Sequence, residues 1–198
     1  MNNKKVLVWM NCYGGWAPNL RQPIETIGYN QYLNDFVEAV SIIADQIEAI
    51  YISGGMYDSL NRTECETVRP ELEKRLQKVG INIEIQTDEN SLTSASIMYK
   101  FLKTWKEKYS DCVPILFVDA VRYKINMFTC EYYCKELKID LNPIDVLVPL
   151  IRLDNNQNST LEAQDKKLQV IKEKGVEYVE KLELEIRKGH IDKRNAQK

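Results

Sequence analysis

Four places in this chain gather residue types able to hold or attack a charged group. Asn11, Cys12 and Gly14-Gly15 follow one short apolar run, and Ser53-Gly54-Gly55 follows a second. Asp88, with Ser91, Thr93 and Ser94, follows a third, and Asp119, with Arg122 just beyond, follows a fourth. Glycines at such turns let backbone N–H groups approach an anion, and the start of a following helix adds a favourable dipole. A lone Ser-Gly-Gly is a weak signal, because turns use glycine for conformation alone. Arg122 offers a planar fork for a phosphate or carboxylate, or for Asp119 beside it. Glu64 and Asp88 are the candidate catalytic carboxylates, as base or as ligand to a divalent ion. Glu66 suits a capping role instead, and Ser91 and Thr93 have capping as an equal alternative. The single histidine, His190, lies in a charged tail and reads as a solvated bystander.

Several chemistries drop out. Neither a Gly-x-Gly-x-x-Gly fingerprint nor a Walker A lysine motif is present, which counts against the ordinary dinucleotide and P-loop readings. Five cysteines stand at 12, 65, 112, 130 and 134 with no Cys-x-x-Cys, so they read as buried reduced thiols, and no metal site is assigned. Cys130 and Cys134, four apart, would share a helix face. A divalent cation or S-adenosylmethionine is compatible with the chemistry and the fold class, but no motif supports either. Lysine and arginine number 27 against 29 acids, a net charge of −2, without the basic stripe of a nucleic-acid binder. The first apolar run is too short for a signal peptide or a membrane span, so a cytoplasmic protein without a membrane partner is expected.

The elements that must carry these residues follow from periodicity. Lys5–Asn11, Ile47–Ile52, Ile81–Thr87, Val113–Val118 and Ile144–Leu150 read as strands. Between them, helical spacing runs through Tyr32, Phe36, Val40 and Ile43, and through Leu72, Leu76 and Val79. Two further helices are expected at Ser91–Tyr109 and Arg122–Leu137. Thr63 is a predicted N-cap with Glu66 as its capping-box partner, and Gly80 ends that helix. Cys12–Gly28, with two glycines and two prolines, reads as a long loop. Strands alternating with helices of this length imply a mostly parallel five-stranded sheet covered on both faces. At 198 residues and 44% apolar content, one domain over residues 1–153 has enough material for a sizeable core. Residues 154–198 form a polar break and a charged helical extension, whose approximate stripe is Leu161, Leu168, Ile171, Val179, Leu182 and Ile186. Two readings of that extension stand side by side: a helix packed on its own domain, or a dimerisation or partner helix.

Ser53-Gly54-Gly55, Thr63-Glu64 and Asp88-Glu89-Asn90-Ser91-Leu92-Thr93-Ser94 together resemble the YdcF/SanA/ElyC-like family, a bacterial domain of unknown function. That family's pattern runs through a strand ending Ser-Gly-Gly, a glutamate opening the next helix, and an acid-x-x-Ser-x-Asn-Thr segment. A Tyr-His-x-x-Arg-like segment comes last. The likeness covers about Lys5 to Leu150 and implies a Rossmann-like three-layer α/β sandwich. Tyr123 and Asn126 stand where the family has its histidine and arginine, and Thr93-Ser94 stands for Asn-Thr.

The expectation is therefore an α/β protein binding a phosphorylated or nucleotide-like small molecule at the C-terminal edge of its sheet. Glycine N–H groups and Arg122 would hold the anion, and hydrolysis or group transfer at that ligand would fall to Glu64 or Asp88. The alternative is a non-catalytic sensing, sequestering or interaction module that has lost the family's His/Arg pair, with the C-terminal helix a route to a homo-oligomer.

Overall fold

The computed structural model describes residues 4–12, 23–55, 63–120, 122–141, 145–147 and 157–195. Gly14 and Gly15 lie outside the described residues. The strands are β1 (Val6–Asn11), β2 (Ile47–Ser53), β3 (Ile85–Asp88), β4 (Val113–Phe117) and β5 (Asp145–Leu147). The helices are α1 (Pro23–Ile42), α2 (Glu64–Lys78), α3 (Ser94–Lys108), α4 (Tyr123–Glu136), α5 (Gln157–Lys174) and α6 (Val176–Asn195).

All the strand pairs are parallel, in the order β3-β2-β1-β4-β5. The last strand, expected over Ile144–Leu150, shrinks to the three residues Asp145–Leu147, so four strands make the body of the sheet. The third strand is also later and shorter than its alternation suggested. Only Ile85–Asp88 pairs with β2, while Ile81 and Ile83 pack against the core before the ladder begins. Helix α1 begins at Pro23 rather than after Gly28. Proline suits the first helical turn because its missing N–H would have no intrahelical partner there.

Burial on both faces explains why β1 and β2 are nearly continuous apolar runs. Val6, Val8 and Met10 share one face with Ile50 and Ile52 and pack with α1 and α2. Leu7, Trp9, Ala49 and Tyr51 share the other face with the buried residues of α3 and α4. Ile171 of α5 and Val176 and Val179 of α6 extend that second cluster.

The C-terminal extension is two helices, not one. Gly175 has φ +96°, which an L side chain rarely adopts, and it separates α5 from α6. The approximate stripe read from the sequence is interrupted at this same glycine. Ile171 and Val179 are buried against the domain, whereas Leu182 and Ile186 face solvent. No helix among the described residues is long and apolar enough to cross a membrane.

Candidate functional site

In a sheet ordered this way the chain reverses direction across the sheet between β1 and β4, where the carboxyl ends of the strands leave a crevice. On the α1 side a tyrosine closes it. The Tyr32 hydroxyl lies 3.0 Å from the carbonyl oxygen of Asn11 on β1 and 3.3 Å from that of Phe117 on β4, in donor geometry to both. Its spacing marked Tyr32 as a core residue, and nothing in the sequence distinguished this hydroxyl.

The ends of β2 and β3 are tied together by their own backbone. The Gly54 N–H donates to the Asp88 carbonyl at 3.0 Å, and the Gly55 N–H to the Ser91 carbonyl at 3.1 Å. Both N–H groups expected to hold an anion are thus engaged within the protein. A Cβ on Gly55 would stand 2.6 and 2.7 Å from the carbonyl oxygens of Glu89 and Ser91. One on Gly54 would meet Glu64 Oε2 at 2.7 Å and the Cβ of Cys12 at 2.8 Å. Close packing between segments, rather than an anion cradle, is what requires glycine at these two positions.

Ser53 is likewise internal: it is fully buried, and its Oγ accepts from the indole N–H of Trp9 at 2.9 Å. Asn11 pairs with Ser53 in the ladder and is buried. Asp88 shapes the following turn, its Oδ1 accepting the N–H groups of Asn90 (3.2 Å) and Ser91 (3.3 Å). Its Oδ2 is buried with no hydrogen-bond partner. At 4% exposure this carboxylate is not positioned as a solvent-facing base.

Thr63 caps α2 as expected: its side chain accepts from Glu66 N, and Glu66 reaches back to Thr63 N at 2.6 Å. Glu64 is left outside that box, half-buried against Gly54. Beneath it, Cys12 and Cys65 sit with their sulfurs 4.0 Å apart. Burial, the neighbouring Cys65 thiol and the Glu64 charge push the Cys12 thiol well above its usual range, so it stays protonated. Thr93 is the N-cap of α3 in a second capping box with Ser96, which accounts for both its hydroxyl and its N–H.

A different corner carries the charge. Asp119 is buried, takes the Arg122 N–H on Oδ1 at 3.0 Å, and pairs with the Arg122 guanidinium at 3.8 Å. Arg122 is the N-cap residue of α4. Ser94, the first residue of α3, lies 3.3 Å through its Oγ from Nζ of Lys167 on α5. Lys167 is mostly buried and holds Glu183 of α6 at 2.5 Å. Burial pulls Lys167 below the usual lysine range; Glu183 opposes that shift, while the charges of Arg187 and Arg122 add to it. Sequence reasoning missed Lys167 altogether. It is one of many charged residues in its helix, and only the packing of α5 beside α3 and α4 brings it to the strand ends.

The remaining cysteines have no partner-forming arrangement beyond helical neighbours. All five are free, and the Cys130 thiol is hydrogen-bonded to Cys134 one turn on, which lowers Cys134. Among the described residues no group of three or more His, Cys, Asp or Glu side chains is placed to hold a metal ion. An open groove of about 580 Å³ lies between α1 and α2, with Val37, Arg75 and Val79 among its lining residues. Arg75 there is occupied by Glu71, Asn30 and Asn34.

Compared with family models, with curated proteins and with solved structures, the chain finds no match.

Proposed function

We propose that the protein binds a phosphorylated or nucleotide-like small molecule at the C-terminal edge of its sheet, in the corner where α3 and α4 begin. The observation that carries this reading is Lys167, a mostly buried ammonium held against Ser94 at the start of α3, with the charge of Arg122 acting on it. Each cation already has an acid beside it, Lys167 with Glu183 and Arg122 with Asp119, and a bound anion would add a further partner for both. Two helix starts add partial positive charge on the same side. In this reading the fold is Rossmann-like, the protein is cytoplasmic, and the likeness to the YdcF/SanA/ElyC-like family rests on Ser53-Gly54-Gly55 and Thr63-Glu64.

Binding without chemistry is the form we favour, and the acids support it. Asp119 is paired with Arg122, Glu183 with Lys167, and Asp88 is buried under its own turn. For the alternative, hydrolysis or transfer at the bound phosphate, Glu64 is the candidate base. Native mass spectrometry of freshly purified protein should reveal a phosphorylated molecule released on denaturation. Pyrophosphate and a nucleoside triphosphate should raise the melting temperature in proportion to the logarithm of their concentration. Lys167→Met and Arg122→Ala should both abolish that rise. A protein that carries nothing and responds to neither probe would overturn the site, and Glu64-dependent phosphate release from a phosphate ester would favour the enzymatic form.

A further inference from the structure

One side of α6 is exposed among the described residues, where Lys174 of α5 places its Nζ 4.9 Å from the centre of the Tyr178 ring. Val176 and Val179 pack into the second core cluster, Glu180 accepts from the Tyr133 hydroxyl at 3.3 Å, and Glu183 holds Lys167. These contacts fix which side of the helix faces inward. On the outward side Tyr178, Leu182 and Ile186 follow one another at four-residue spacing, with 42%, 40% and 60% of their surfaces exposed. That spacing aligns them in a single row along the helix. Lys181 and Glu185, both exposed, stand beside Leu182 in the same row arrangement.

We propose that this face is a two-fold interface, on which α6 of a second copy of the chain packs antiparallel. The charges select both the occupant and the direction. A parallel pair in register would turn the flank that carries Lys181 and Glu185 toward the second copy's other flank, where Glu183 is already held by Lys167, and would leave both charges without a complement. An antiparallel pair with its axis beside residue 183 sets Lys181 of each copy against Glu185 of the other, twice, because the two positions are equidistant from that axis. Within one helix a lysine preceding a glutamate by four is the poorer orientation, so the cross-copy pairing is the better use of both side chains. Leu182 then lies next to the axis, covered by the second copy's apolar row, and Tyr178 meets the aliphatic stem of Lys188. The patch is complementary to itself, which is the property a closed two-fold dimer requires.

The inward contacts of Glu183 and Lys167 take no part in this interface, so it stands or falls independently of the ligand site. Sedimentation velocity on the full chain over a wide concentration range should give a reversible monomer–dimer equilibrium. Leu182→Glu and Ile186→Lys should each raise the dimer dissociation constant by more than about tenfold, while circular dichroism retains the helix content. Lys181→Glu and Glu185→Lys should each weaken the dimer singly, by about tenfold, and the two together should restore it. A wild-type chain that stays monomeric throughout overturns the proposal. So does a dimer indifferent to both apolar substitutions, and a double charge swap that fails to restore association overturns the antiparallel pairing.

Discussion

The ends of β2 and β3 and the corner where α3 and α4 begin lie on one edge of one sheet, yet they are built for different work. At β2–β3 glycine, serine and aspartate are turned inward: the N–H groups of Gly54 and Gly55 meet carbonyls, Ser53 satisfies Trp9, and Asp88 ties its own turn. At the α3–α4 corner, largely buried side chains of opposite charge are paired with one another around helix starts. Polar residues at this edge therefore divide into those that close the backbone of the fold and those that pair charges at and between helices. The residue type does not say which; the direction of the hydrogen bonds does.

Substitutions should separate the two regions, and the largest effect is expected at Gly55. Gly55→Ala drives a methyl group into two backbone carbonyls that have no room to yield, and should cost about 3 kcal/mol or more in urea unfolding. A loss under about 1 kcal/mol would break the claim that close packing holds this end. Ser53→Ala comes next. It leaves the buried Trp9 indole N–H without its partner, at a cost of about 1–3 kcal/mol, with no effect on anion binding. At the other corner Lys167→Met should act on the ligand as well. Ligand-induced stabilisation should vanish, and unfolding free energy should fall by about 1–3 kcal/mol, because Glu183 is left largely buried without its ion-pair partner.

The smallest effect is one of pH. The Lys167 pKa is lowered in the folded protein, so between that value and the ordinary lysine value of 10.5 the unfolded chain binds more protons than the folded one. Wild-type stability should therefore rise with pH relative to Lys167→Met as that window is crossed. A difference between the two proteins that stays flat on approaching pH 10.5 would break the assignment.

Much of the fold was legible. Continuous apolar runs at β1 and β4 and the Thr63/Glu66 box were all readable, because each is a local pattern with a local cause. Boundaries set by pairing were less so: Ile81 and Ile83 alternate like a strand, but the ladder with β2 begins only at Ile85. Site residues suffered most. Glu64, Asp88, Asp119 and Arg122 do come to one edge, yet what each one does depends on burial and packing that no spacing encodes, even where the partner is near, as Asp119 is to Arg122. Lys167 was illegible for the same reason, since its partners Ser94 and Glu183 lie 73 and 16 positions from it.

That separation along the chain has a consequence for synthesis. A ribosome releases all five strands, with Arg122 and Ser94 among them, before it reaches α5. A nascent or truncated chain ending ahead of residue 157 would hold the sheet without the ammonium that completes the cationic corner. If the proposed site is right, ligand capture would then report that translation had passed Lys167.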